Sequence, residues 1–344
     1  MTESEADVRS DATPGVLAID AGNSKTDLAI ISVDGTVLGT TRGEGFVPHL
    51  IGAEDAVTGL VPLVSKAVAE AGLEFEKGTP FVQHVSACLA NADLPIEQRL
   101  LKEAIDAERW GESSAVVNDT FALLRAGVEV PRGIAVICGA GINCTGMLPD
   151  GRTARFAAVG RISGDWGGGG YLWQEAMWWA ARAEDGRGED TRLRTALPDM
   201  FGLRSMQALI EAIHLEVIPA ERCLDMTPLL FEVAESGDPI AVEIVRRQAG
   251  EIVALVVAAL RRLEVADEPI DVLLGGGVLT AGHPLLMQTI DSLLAAVAPY
   301  AVTRLVDTPP VIGAGLLGLD HIGATSSAQS VLRTADLSAE PSDP

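Results

Sequence analysis

Two aspartates in this sequence each close a short apolar run. Asp20 follows residues 16–19, and Asp119 follows residues 115–117 by way of Asn118. Open α/β sheets gather their ligands at the carboxyl ends of strands, so both carboxylates stand where chemistry is done. Asp119 carries two readings, because it also opens the helical stretch 120–126. It can serve there as a plain N-cap. The helix dipole would also hold it ionised, as a general base near neutral pH must be. A third carboxylate, Asp165, lies in Gly164-Asp165-Trp166-Gly167, among six glycines between Gly160 and Gly170. Such a run is either a flexible loop or backbone packed around a ligand, and the helix beginning near Tyr171 favours the ligand.

Three glycine-rich turns accompany these acids. Asp20-Ala21-Gly22-Asn23-Ser24-Lys25-Thr26 offers backbone N–H groups, two hydroxyls and a cation at a tight hairpin. Gly22, without a side chain, lets phosphate oxygens come close. The spacing is not that of a Walker loop. Gly139-Ala140-Gly141 lacks the third glycine of a dinucleotide fingerprint, since Cys144 stands there and a strand follows where a helix should. Either turn alone is more often an ordinary hairpin. With Gly275-Gly276-Gly277 they make three glycine-rich loops at strand ends, and together they favour nucleotide binding.

The elements that must position these residues form a repeat. Residues 16–19 read as a strand, followed by a glycine-rich turn, a second strand to Ile31, an Asp34-Gly35 hairpin and a third strand, 36–41. Residues 134–158 repeat the pattern, with Asp150-Gly151 as the hairpin turn. The repeat predicts two related domains, each opening with a three-stranded meander. Further strands are read at 115–117 and 271–274, and apolar residues at helical spacing mark 56–71, 95–107, 120–126, 172–183, 206–214 and 240–263. The domain boundary is read near 128–132, where Pro131 interrupts the pattern.

Composition excludes several functions. The 344 residues include 48 acidic and 25 basic side chains, a formal charge of −23, which repels nucleic acid and anionic membranes. The longest apolar run, 252–260, is too short for a membrane span. The start is acidic and polar, unlike a secretion signal, so a cytoplasmic protein is expected. Four scattered cysteines suit free thiols in a reducing compartment. Five dispersed histidines form no metal-ligand pair, and no GxSxG elbow is present.

Assembled in order, these motifs resemble the BadF/BadG/BcrA/BcrD-type ATPases of the sugar-kinase/actin superfamily. Within that family the similarity is to the branch of N-acetylglucosamine kinases and actinobacterial glucosamine kinases, over roughly residues 15–325. Ile19 to Thr26 resembles the first phosphate loop, and Leu89-Ala90-Asn91-Ala92-Asp93-Leu94-Pro95 a further family segment. Asn118-Asp119 resembles the catalytic-base motif, and Cys138-Gly139-Ala140-Gly141-Ile142-Asn143 the second phosphate loop. Gly164-Asp165-Trp166-Gly167 resembles the sugar-binding GDEG, and Gly275-Gly276-Gly277-Val278 the adenosine loop.

The resemblance implies an α/β, two-domain actin-like (ribonuclease-H-like) ATPase. Each domain would be a mixed sheet flanked by helices, with the active site in the cleft between them. The expected division is a disordered acidic tail, 1–14, an N-terminal domain, 15–130, and a C-terminal domain, 131–325. A flexible tail, 326–344, would carry a short helix near 327–333 that returns to the N-terminal domain. The implied cofactors are ATP and Mg²⁺, the partners a small sugar and a second copy in a homodimer. Asp119 would be the base, Asp165 and Asn143 would orient the sugar, and Asp20 would hold Mg²⁺. Gly22, Asn23, Ser24, Lys25, Thr26, Gly139 and Gly141 would take the phosphates, and Gly275, Gly276, Gly277 and Gly313 the adenosine.

Departures bear on the sugar. Gly43 to His49 replaces the family's Asn-containing segment, Ala140 stands for its Thr, and Trp166 for its Glu. Around Ala140 and His49 the pocket loses polar contacts used for an acetylated sugar, so glucosamine phosphorylated at its 6-hydroxyl is the expected reaction. N-acetylglucosamine is the alternative. Two readings from other classes are a dehydratase-activating ATPase, which would need closely spaced cysteines for an iron–sulfur cluster, and a non-enzymatic sugar sensor. The sensor would need a DNA-binding module before Val16, where about fifteen residues are expected to be too few.

Overall fold

A computed structural model describes residues 13–337, which divide into two compact units. One takes the described residues up to Arg132 together with those from Val306 onward; the other is Gly133–Leu305.

In the first unit, β1 (Pro14–Ala21), β2 (Lys25–Ser32), β3 (Val37–Glu44), β4 (Val82–Leu89) and β5 (Gly111–Asn118) form one sheet of order β3-β2-β1-β4-β5. β1 to β3 are an antiparallel meander, and β4 and β5 add in parallel beside β1. Side chains alternate across β1. Leu17, Ile19 and Ala21 join the core beneath the helices Ala53–Glu70 and Pro95–Glu108. Val16 and Ala18 face the opposite core, with Val311, Ile312, Ala314, Leu316 and Leu319 of the helix Pro310–His321. A central strand buried on both faces reads as a continuous apolar run, as β1 does from Val16 to Ile19 before Asp20.

The second unit repeats the plan. β6 (Gly133–Cys138), β7 (Ile142–Met147), β8 (Thr153–Arg155), β9 (Ile270–Gly275) and β10 (Ala301–Leu305) lie in the order β10-β9-β6-β7-β8. The meander is again antiparallel, with β9 and β10 parallel beyond it. The Asp-Gly turns stand at both hairpins, with Gly35 and Gly151 at φ 90° and 89°, a region glycine enters without strain. Between β8 and β9 run several helices, among them Gly169–Glu184 and the 25-residue Pro239–Leu263.

Three expectations change. The helix Pro310–His321 is expected in the C-terminal domain, yet it packs in the first unit, where Ser326–Arg333 joins it as the short helix expected to return there. The reason is the second face of the first sheet, which needs an apolar cover. Arg125 fixes the arrangement: fully buried, it pairs with Asp320 at 2.8 Å and donates to Gln329 Oε1 at 2.9 Å. Arg333 in turn donates to the carbonyls of Ala126 and Arg125 at the end of the helix Thr120–Gly127. Second, β4 escaped notice because His84 and Ser86 interrupt its apolar pattern, although both are buried. Third, Pro14 belongs to β1; the rest of the expected acidic tail, apart from Thr13, and residues 338–344 of the expected C-terminal tail lie outside the described residues.

Candidate active site

Two groups of candidate residues form, one in each unit. In the first unit, Asp20 ends β1 beside Cys88 of β4 in the sheet register. Burial raises the Asp20 carboxyl well above its ordinary range; the charges of Asp119 and Asp27 push the same way and Lys25 opposes them. Asp119 sits between β5 and the helix Thr120–Gly127. Its side chain makes no capping hydrogen bond. The cap is supplied by Asn118, whose Oδ1 accepts from the Thr120 backbone N–H at 3.0 Å and from the Thr120 hydroxyl at 2.6 Å. Asn118 is itself held by its amide, which donates to Asp93 Oδ1 at 2.9 Å. Half-buried at the sheet edge, Asp119 is pushed up to about 6 by desolvation, which outweighs the opposing N–H groups of the helix start. The dipole was expected to keep this group ionised; burial moves it the other way.

The first glycine-rich turn joins β1 to β2, and the Gly22 N–H donates to Lys25 O at 2.9 Å. Asn23, Ser24 and Lys25 are exposed on it. A Cβ on Gly22 would meet only Lys25 O, at 3.5 Å, so folding does not demand glycine there. Asn91 steadies the turn by donating to Asn23 Oδ1 at 2.9 Å. The segment after β3 docks on it: the Phe46 N–H donates to Gly22 O, and Gly45 lies so close that a Cβ would stand 2.0 Å from Asn23 O.

The other candidate residues of this unit have protein contacts of their own or stand apart from the turn. Lys25 is ion-paired with Asp27 at 3.1 Å, and Arg42 donates to the same carboxylate at 2.6 Å. Thr26 is buried, and its hydroxyl has no partner among the described residues. Gly313 is a packing residue of Pro310–His321: a Cβ there would fall 1.9 Å from Ala122 O. His49 is exposed on the short helix Pro48–Ile51. Asp27 was missed, although the hairpin register pairs it directly with Asp20, and counting outward equally from the turn finds it.

In the second unit the three glycine-rich segments are knitted together by backbone. Gly169 N–H donates to Gly139 O at 2.7 Å, and Gly170 N–H to Ala140 O at 2.9 Å. Gly168, at φ 83°, approaches Gly141 so closely that a Cβ would lie 2.5 Å from its backbone. Gly276, at φ 86°, does the same against Cys138, at 2.6 Å. Gly275 is buried at the end of β9, whereas Gly277, Ala140 and Gly141 are exposed. Gly139 and Gly141 have open space where a Cβ would stand and no positive φ. Asp165 is half-buried, and the Ser163 hydroxyl donates to it. Asn143 Oδ1 accepts from the Cys144 N–H at 2.7 Å. The unit therefore offers Asp165, the turn 139–141 and Gly277 on one backbone-bonded platform.

No group of three or more metal-ligating side chains is assembled among the described residues. A Mg²⁺ that arrives with a nucleotide needs fewer, because water and phosphate supply most of its oxygens. Asp20, buried with Asp119 and Asp27 as like charges, suits such a cation by its donor chemistry. All four cysteines are buried free thiols, and no helix among the described residues is long and apolar enough to cross a membrane.

The BadF/BadG/BcrA/BcrD ATPase family pattern matches residues 17–318, from the second half of β1 to the helix Pro310–His321. The chain belongs to this ATPase family. Within it, the chain is 27% identical over 267 residues to the N-acetylmuramic acid/N-acetylglucosamine kinase of Clostridium acetobutylicum, covering 77% of this chain and 85% of that one. It is 24% identical over 314 residues to the N-acetyl-D-glucosamine kinase of Dictyostelium discoideum, covering 88% and 97%. Among solved structures, a candidate N-acetylglucosamine kinase from Chromobacterium violaceum superposes with a TM-score of 0.68 at 21% identity, over 89% of this chain and 99% of that one. That likeness shows the fold: two mixed sheets flanked by helices, of the actin-like sugar-kinase kind.

Proposed function

We propose that this chain is a MgATP-dependent kinase that phosphorylates an amino sugar at its 6-hydroxyl. The observation that carries the reading is Asp119: a carboxylate relieved of capping by Asn118, raised to about 6, and near enough to Asp20, across β4 in the same sheet, for its charge to raise the Asp20 carboxyl. A base of that strength is largely ionised at neutral pH, yet takes a proton more readily than an ordinary aspartate. Asp119 accepts the proton of the sugar hydroxyl as that oxygen bonds to the γ-phosphorus of ATP, while the bond from this phosphorus to the β,γ-bridging oxygen breaks and ADP leaves with the electron pair. Asp165 and Asn143 orient the ring, so that the hydroxyl is held for in-line attack. Backbone N–H groups near Gly22 and Gly141, with Ser24, bind the β- and γ-phosphates; the exposed Lys25 ammonium turns to them from the buried Asp27, which keeps Arg42 as a partner. The adenosine lies against Gly275 to Gly277. Asp20 would hold Mg²⁺, which would supply charge neutralisation on the phosphates.

Glucosamine is the sugar proposed first, because Ala140 and Trp166 stand where the family's acetylated-sugar kinases present polar groups. A specific observation favours a second reading, N-acetylglucosamine. The Arg247 guanidinium lies 4.0 Å over the Trp166 ring, and a cation beside the Asp165 loop disfavours an ammonium substituent. The names of the two relatives support the same sugar.

ADP release with MgATP decides between them, measured against glucosamine, N-acetylglucosamine, glucose and no sugar at matched concentrations. Release that depends on an amino sugar supports the kinase, and the faster of the two identifies its substrate. Release indifferent to every sugar refutes it.

A further inference from the structure

Four successive glycines, Gly167 to Gly170, follow Asp165 and Trp166. Such a segment has no side chains to pack and more conformational freedom than any other, so it holds one shape only where hydrogen bonds impose it. Gly167 and Gly168 stand at φ 137° and 83°. Beyond them the backbone is tied to the turn 139–141, and the Thr227 hydroxyl donates to Gly169 O at 3.1 Å. On the Asp165 side, a side chain supplies the tie: the Gly168 N–H donates to Gln248 Oε1 at 2.9 Å. Gln248 is fully buried on the helix Pro239–Leu263 and lies against Gly167, where a Cβ would stand 2.7 Å from Oε1. Its neighbour Arg247 stacks on Trp166. Consecutive residues of one long helix, Arg247 and Gln248, thus grip the loop beyond Asp165 at Trp166 and at Gly168. Neither Gln248 Nε2 nor Trp166 Nε1 has a partner among the described residues. A buried amide kept with half its capacity idle is retained for what its oxygen holds.

We propose that Gln248 is a positioning residue for sugar binding, setting the conformation of the loop that presents Asp165. The inference rests on the reading of Asp165 as a sugar ligand. Gln248 touches no substrate; it acts through the Gly168 N–H.

The test measures binding of glucosamine, N-acetylglucosamine and ATP by calorimetry, with melting temperatures, for wild type, Asp165→Asn, Gln248→Met and Gln248→Glu. Gln248→Met keeps the bulk and removes the acceptor. It is expected to weaken the sugar that binds wild type by about tenfold, with ATP unchanged within about twofold. Gln248→Glu keeps an acceptor and becomes a neutral isostere when protonated. Its sugar affinity is expected to lie near that of wild type at about pH 5.5 and to fall at about pH 8. If Asp165→Asn weakens the sugar and neither Gln248 variant does, Gln248 does not set the loop. If all three variants bind sugar as wild type does, the reading of Asp165 itself fails, and the inference with it. Equal loss of sugar and ATP with a lowered melting temperature makes Gln248 merely structural. Should Gln248→Met not fold, the pH dependence of Gln248→Glu decides alone.

Discussion

Asn118 Oδ1, not the Asp119 carboxylate, takes the Thr120 N–H, at 3.0 Å. One residue caps the helix, and its neighbour is left for chemistry. Replacing Asp119 by Asn should therefore leave the helix and the fold intact while lowering kcat by about 10²–10⁴-fold, with the KM values for ATP and sugar little changed. Steady-state kinetics on the folded variant checks this; near-normal turnover would remove Asp119 from the mechanism.

The pH profile follows from the same residue. Only the ionised carboxylate accepts a proton, so kcat should fall as pH drops through about 6, the value to which burial raises Asp119. A profile falling only near the ordinary aspartate value would mean that another group is the base.

Stability should run the opposite way. The folded pKa of Asp119 lies above that of the unfolded chain, so the folded state binds the proton more tightly. The contribution of Asp119 is full below about pH 4 and is lost as pH rises through about 6. Burial of Asp20 adds to the same trend. Asp119→Asn removes one contribution, so the variant should melt higher than wild type at pH 8 and equally at pH 4. Thermal melts at the two pH values test this stability cost of the site.

Arg125 holds the last two helices to the first unit. Arg125→Met removes the fully buried cation from Asp320 and from the carbonyls of Val128 and Glu129, and should cost about 3 kcal/mol in urea unfolding. Asp320→Asn, at a position about one-third exposed, should cost about 1 kcal/mol. Equal, small effects would show that apolar packing alone fixes these helices.

Two glycines separate packing from binding. Gly313→Ala places a methyl group against Ala122 O and should destabilise by about 2–4 kcal/mol. Gly141→Ala meets open space, so its stability should stay within about 0.5 kcal/mol. If the turn binds phosphate, the same change should raise the KM for ATP by about tenfold.

What the sequence determined by itself was local. The two meanders, the Asp-Gly hairpins, the helix Met206–His214 to the residue, and the ATPase family were all legible, because strand alternation, turn chemistry and motif order are written within short stretches. The placing of Asp119 after a strand was legible too; its release from capping was not, since Asn118 and Asp119 are equally good caps by type. Gln248 is a polar residue within an apolar helix stripe, beside Val245, Ala249 and Ile252, and nothing local says which loop it meets. Tertiary structure alone decided that Gly313 packs on Ala122 and that the helix Pro310–His321 covers the first sheet rather than joining the second unit. It alone decided that burial raises Asp119, where the helix start would lower it. Each of these depends on contacts between residues far apart in the chain, and on the desolvation those contacts impose.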